Sequence, residues 1–184
     1  ESMSQLESYI AIEGPIGVGK TSLAKMIADK LNARKVFEDF KGNPFLEDFY
    51  EDPDSNALQT QIWFLLQRYQ QQQKKIRQLD AFQKGVITDY MFEKDRLFAE
   101  FTLRSQAEFE LYSSVADILE KDIIKPDMVV YLQADTSRLM KNIKQRGRNF
   151  EKGVTTEYIN QVNEKYQEFF VNYDYLSGAS STWK

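Results

Sequence analysis

The sequence predicts an α/β protein of three layers: a parallel sheet of about five strands, four of them readable, flanked by helices. Two observations carry this. Short, β-rich apolar segments alternate with helical patterns long enough for a crossover, the order that builds parallel sheets. The first segment also ends in a glycine-rich loop that opens a helix. All 184 residues read as one domain, 42% apolar and 14% aromatic, a composition suited to a soluble globular core. The opening Glu1-Ser2 reads as an expression remnant ahead of Met3.

The four readable strands are YIAIEG (9–14), KVFED (35–39), GVITDY (85–90) and DMVVYLQAD (127–135). Helical patterns cover 21–31, 55–79, 92–103, 106–124, 136–145 and 155–173. In the long second helix Ile62, Leu65, Leu66 and Tyr69 recur at helical spacing, and its glutamine-rich tract QRYQQQQKK (67–75) reads as a solvated face. The tail SGASSTWK (177–184) carries no strand pattern, so the fifth strand has no visible segment.

Composition narrows the chemistry. With no cysteine there is no disulfide or thiolate, and with no histidine the expected proton acceptor is a carboxylate. A formal charge of −4 without a basic stripe argues against nucleic acid as the partner. No apolar run reaches the roughly 18 residues of a membrane span and no secretory leader is visible, so the expected compartment is the cytoplasm, with no membrane partner.

Residues 14–21 supply the sharpest signal. Gly14-Pro15-Ile16-Gly17-Val18-Gly19-Lys20-Thr21 satisfies the Walker A pattern, and it stands between a strand and a helix as the mechanism requires. Its glycines let successive backbone N–H groups face one anion, and the helix that follows presents its positive end. Lys20 adds a point charge for the β- and γ-phosphates, and Thr21 is a magnesium ligand. Asp89, at the end of VITDY, is expected to face the same Mg2+. No guanine-reading Asn-Lys-x-Asp is present, which leaves kinases and ATP-driven machines, and the chain is short for a motor.

GPIGVGKT, Glu38 after the second strand, NPFLEDFYEDP (43–53), QTQIWFLLQRY (59–69), DYMFEKDRLFA (89–99) and RGRNFEKG (146–153) together resemble the deoxynucleoside kinase family, over nearly the whole chain. The resemblance implies the three-layer P-loop kinase fold, with ATP and Mg2+ as cofactors. It also implies γ-phosphoryl transfer to the 5′-hydroxyl of a small-molecule deoxynucleoside. Glu38 matches the catalytic base, with Asp39 its nearest rival, and Lys20, Arg146 and Arg148 match the groups that act on the transferring phosphate. Arg146 and Arg148 belong to a lid around 142–153. Gln61 matches the base-reading glutamine, and Arg68 with Asp95 the pair at the other base edge. That pair implies a purine deoxynucleoside, deoxyadenosine favoured and deoxycytidine possible. Tyr50 and Glu151 match the holders of the 3′-hydroxyl, and the helices over 55–79 and 106–124 imply a homodimer.

Three features depart from the family pattern, one of them a segment after Asp95 that is one residue shorter than in the animal members. Asp89-Tyr90-Met91 stands where many members have Glu-Arg-Ser, so the arginine that orients the base is missing, and Arg96 or a lid arginine is the expected substitute. Asn142 stands where animal members carry an arginine, which suggests a bacterial branch. Trp63, Phe64 and Phe98 read as core. Two other readings share these motifs: a nucleoside monophosphate kinase of the thymidylate kinase type, and an inactive structural subunit.

Overall fold

The computed structural model describes residues 8–78, 83–177 and 181–183, with side chains described up to residue 172. The expression-remnant reading at residues 1 and 2 and the last residue of the helix expected over 55–79 lie outside the described residues. Among the described residues five strands form one sheet: β1 (Tyr9–Glu13), β2 (Arg34–Val36), β3 (Val86–Thr88), β4 (Met128–Tyr131) and β5 (Ser181–Trp183). Their order is β2-β3-β1-β4-β5 and every pairing is parallel. The expectation for the tail is thus corrected. Ser181–Trp183 runs beside β4, with Met128 opposite Ser181 and Val130 opposite Trp183. Three residues on a sheet edge are too few to write a period into the sequence.

Among the described residues seven helices flank the sheet: α1 (Lys20–Leu31), α2 (Leu46–Glu51), α3 (Pro53–Gln71), α4 (Lys94–Thr102), α5 (Gln106–Glu120), α6 (Thr136–Arg146) and α7 (Thr156–Ser177). Strand alternation splits the core into two faces. Ile12 and Ile87 pack on Ala24 and Ala28 of α1, whose small side chains, four residues apart, let the helix lie close. Tyr9, Ala11, Val86 and Val129 face the other way, against Leu97 of α4 and Val162 and Tyr166 of α7. A further cluster joins Leu65 of α3, Phe92, and Tyr112 and Ala116 of α5.

Helix α3 begins where local chemistry says it should. Asp52 accepts from the Ser55 N–H at 3.4 Å, and Pro53 occupies the first turn, where its missing N–H costs nothing. The helix then passes into a π turn, Gln72–Ile76, and within the tract 67–75 Gln70 is exposed as expected whereas Gln71 and Gln72 are not on a solvated face. Gln72 is fully buried; it donates to Ile124 O at 3.1 Å and accepts from Ile124 N at 3.0 Å. Buried Gln71 donates to Phe37 O at 3.0 Å. Each amide satisfies loop backbone that no ladder serves, a use that polarity alone does not reveal in a sequence.

Because β1 lies between β3 and β4, the connections leaving it diverge and open a crevice at the carboxyl ends of the strands. The loop after β1, Glu38 after β2 and Asp89 after β3 all emerge at that edge. No helix among the described residues is long and apolar enough to cross a membrane.

Candidate active site

The loop between β1 and α1 is shaped by close approach. At Gly17, φ is +86° and a Cβ would lie 2.9 Å from Leu139 O, so only glycine fits beneath α6. Asn142 donates to Gly17 O at 2.7 Å and pins α6 to the loop. Lys20 is buried and turned onto its own loop, donating to Gly14 O at 2.7 Å and Pro15 O at 3.3 Å. Burial first, then the nearby charge of Lys94, pulls its pKa down to about 7.

Thr21 and Asp89 meet as expected: the threonine hydroxyl donates to Asp89 Oδ2 at 2.6 Å. The other oxygen, Oδ1, accepts the Glu38 backbone N–H at 2.7 Å, which ties the end of β3 to the start of the β2 loop. Burial raises the Asp89 pKa. One hydroxyl and one carboxylate, with no cluster of three acidic ligands among the described residues, suit a magnesium ion that takes its remaining ligands from phosphate and water.

Two clefts meet at this loop. One is lined by Gly17, Gly19, Lys20, Thr21, Arg146 and Arg148. The other is lined by Glu38, Tyr50, Gln61, Phe64, Arg68 and Asp95. Ile16, Lys20 and Phe40 border both. The structure therefore brings most of the predicted phosphate residues into one cleft, Gly14, Pro15 and Val18 excepted, and most of the predicted nucleoside residues into the next.

A chain of buried charges runs along the second cleft. Arg68 pairs with Asp95 through one guanidinium nitrogen and with Glu38 through another. Glu38, with its side chain 1% exposed, also accepts from Lys94 Nζ at 3.0 Å, and Lys94 lies 3.5 Å from Glu13. Glu13 in turn accepts the N–H of Gly14 at 2.7 Å and that of Met91 at 3.3 Å. Among the described residues, Asp95 Oδ2 is buried without a hydrogen-bond partner.

In the segment after α6, buried Glu151 accepts from two nitrogens of Arg146, Nε at 2.8 Å and a terminal nitrogen. Arg148 stands over the rings of Phe40 and Phe150, 5.7 and 5.9 Å from their centroids. A Cβ at Gly153 would lie 3.0 Å from the Tyr50 carbonyl, so the end of the lid rests directly on α2. Burial raises the Tyr50 pKa well above its usual value, with the charge of Glu151 adding to it. Tyr50 lines the second cleft and Glu151 does not.

A family model described as deoxynucleoside kinase matches residues 10–180. The chain belongs to the deoxynucleoside kinase family. It is 36% identical over 159 residues to a deoxyguanosine kinase of Bacillus subtilis, covering 86% of this chain and 76% of that one. With a deoxyadenosine kinase of Dictyostelium discoideum the identity is 34%, over 88% of this chain and 66% of the relative. A solved deoxyadenosine kinase of M. mycoides with bound dATP superposes with a TM-score of 0.81 at 25% identity, covering 96% of this chain and 90% of the other.

Within this deoxynucleoside kinase the family departures have physical explanations. Tyr90 is buried; its hydroxyl bonds Gln71 and its ring lies 5.5 Å from the Arg68 guanidinium, so it fills space without supplying charge. Arg96 does not take over the missing arginine's position. It pairs with Asp117 at 2.7 Å and Glu120 at 3.0 Å, both on α5. Nor is it a lid arginine that meets Glu38, since Arg146 is held by Glu151. The cation on Glu38 besides Arg68 is Lys94.

Asp39 accepts from the Gly42 N–H at 3.0 Å and lines neither cleft. Phe64 and Phe98 line the second cleft rather than serving only as core, because α3 and α4 turn those faces toward it. Trp63 packs edge-on to Phe64 at 5.5 Å and borders neither cleft. Sequence reasoning missed Glu13 and Lys94. Lys94 stands in the same DYMFEKD motif that lacks the arginine, but nothing in that stretch marks it as buried.

Proposed function

We propose that this chain transfers the γ-phosphoryl group of ATP to the 5′-hydroxyl of a purine deoxynucleoside, deoxyadenosine or deoxyguanosine, with deoxycytidine as a secondary acceptor. As a member of the deoxynucleoside kinase family it is an ATP-dependent phosphotransferase. The observation that carries the finer reading is the junction of the two clefts at Lys20, with the Glu38 carboxylate in the wall of the second. ATP phosphates lie on residues 14–21, and Lys20 leaves its own loop carbonyls to meet them. Glu38 receives the 5′-hydroxyl proton as the loose transition state forms, and Lys20, Arg146 and Arg148 offset the charge on the transferring oxygens. Thr21 and Asp89 would hold Mg2+, which neutralises phosphate charge when bound.

Gln61, Arg68 and Asp95 read the base. A buried carboxylate oxygen without a partner suits the amino group on a base edge, and Arg68 supplies donors for the acceptor beside it. The relatives named above act on deoxyguanosine and deoxyadenosine, and a further B. subtilis relative on deoxyadenosine and deoxycytidine. Tyr50 and Glu151 hold the 3′-hydroxyl once Arg146 turns toward phosphate. An uncharged acceptor is favoured over a monophosphate because Arg68 and Lys94 are already committed to buried carboxylates. The intact buried charge network also speaks for an enzyme rather than a structural subunit.

Asp95→Ala is expected to change the ranking of deoxyadenosine, deoxyguanosine, deoxycytidine and thymidine by about tenfold or more in kcat/KM, the scale of a lost buried hydrogen bond. An unchanged ranking overturns the base-reading assignment. Turnover of deoxyadenylate or thymidylate in preference to the nucleosides overturns the choice of acceptor.

The working form is proposed to be a homodimer. Leu66 on α3 and Leu111 and Ile118 on α5 leave 44%, 55% and 68% of their surfaces exposed on two helices that pack together. Sedimentation at micromolar concentration is expected to give twice the chain mass, and a monomer throughout contradicts the pairing.

A further inference from the structure

The base Glu38 is buried, and a buried carboxylate keeps its charge only when paired. Arg68 is one partner, but its fork is shared with Asp95, and both lie in the wall that meets the nucleobase. Lys94 is the second partner. It stands in the first turn of α4, buried, with Nζ 3.0 Å from Glu38 and 3.5 Å from Glu13. Glu13 is the last residue of β1 and holds the Gly14 N–H at 2.7 Å, so Lys94 bridges the base to the first residue of the phosphate loop.

We propose that Lys94 is a positioning residue: it fixes the Glu38 carboxylate at the acceptor hydroxyl and, through Glu13, sets its distance from the phosphate loop. The inference rests on the assignment of Glu38 as base. An ammonium is a compact charge with three donors, which suits bridging two carboxylates that approach from different strands. When Arg68 turns a donor to the nucleobase, Lys94 is the cation that stays on Glu38. Burial pulls the Lys94 pKa down to about 8, opposed chiefly by Glu13, so the ammonium is still largely charged at neutral pH. Tyr90 completes the arrangement by filling the space beside Arg68 with an uncharged ring.

The test is a kinetic cycle on the full chain with ATP, magnesium and deoxyadenosine or deoxyguanosine, whichever turns over faster. Lys94→Met is expected to lower kcat by about 100-fold while KM for the deoxynucleoside and the Kd for ATP move by less than about threefold. Lys94→Arg is expected to recover kcat to within about tenfold of wild type. In a Glu38→Gln background Lys94→Met is expected to cost less than about threefold more, because its effect runs through that carboxylate. Wild-type kcat in Lys94→Met, or the same loss with and without Glu38, overturns the proposal. Wild-type turnover in Glu38→Gln overturns the base assignment, and Lys94's role with it. If Lys94→Met does not fold, Glu13→Gln/Lys94→Met, which removes the stranded Glu13 charge, is read against Glu13→Gln with the same expectations.

Discussion

Glu38→Gln is expected to lower kcat by about 10² to 10⁴-fold, the usual contribution of a positioned general base, while the Kd for ATP stays within about threefold. The amide keeps the shape of the carboxylate and its place in the cleft wall but cannot accept the 5′-hydroxyl proton. ATP binding is spared because the loop cleft is lined by a separate set of residues, with only Ile16, Lys20 and Phe40 common to both. The substitution also leaves Lys94 and Arg68 with one anionic partner fewer. Their other partners, Glu13 and Asp95, remain, so the variant is expected to fold. Single-turnover rates and equilibrium ATP binding check this. A chemical step at the wild-type rate would remove Glu38 from the proton path.

Arg68→Met is expected to destabilise the protein by about 3–5 kcal/mol, because removing one member of a buried ion pair strands the other. The asymmetry between its two partners decides which charge is stranded. Glu38 keeps Lys94, whereas Asp95, with its side chain 2% exposed, pairs only with Arg68 among the ion pairs of the described residues. Arg68→Met/Asp95→Asn is therefore expected to recover most of the lost stability, whereas Arg68→Met/Glu38→Gln is expected to recover little. Urea unfolding midpoints of the three variants test this. Equal recovery from both double variants, or no loss in the single one, contradicts the charge order drawn here.

How much of this was legible in the sequence depends on what fixed each feature. The phosphate loop was readable because anion binding dictates both residue type and spacing, and the strand before it and helix after it follow from the same geometry. Asp89 was readable as the carboxylate at a strand end, and it meets Thr21 at 2.6 Å. Glu38, Gln61, Arg68 and Asp95 came from whole motifs, and the fold gathers them in one cleft. Lys94 and Glu13 were not legible, because charged residues are mostly exposed and nothing local marks a lysine whose partners lie 56 and 81 positions away in the chain. Gln71 and Gln72 were misread for a related reason: a polar tract says nothing about which amides have loop backbone to satisfy. The edge strand Ser181–Trp183 owes its existence to β4 rather than to its own pattern.

In the function proposed, the two clefts joined at Lys20 carry one phosphoryl group from ATP to a deoxynucleoside hydroxyl. The most direct measurement is the identity of the product formed from ATP, magnesium and deoxyadenosine or deoxyguanosine, with Lys20→Ala as the blank. A deoxynucleoside 5′-monophosphate is expected from the wild-type chain and is expected to be lost with the lysine, because the charge on the transferring oxygens then goes unmet. No monophosphate from either nucleoside, or equal product from the Lys20→Ala variant, would contradict it.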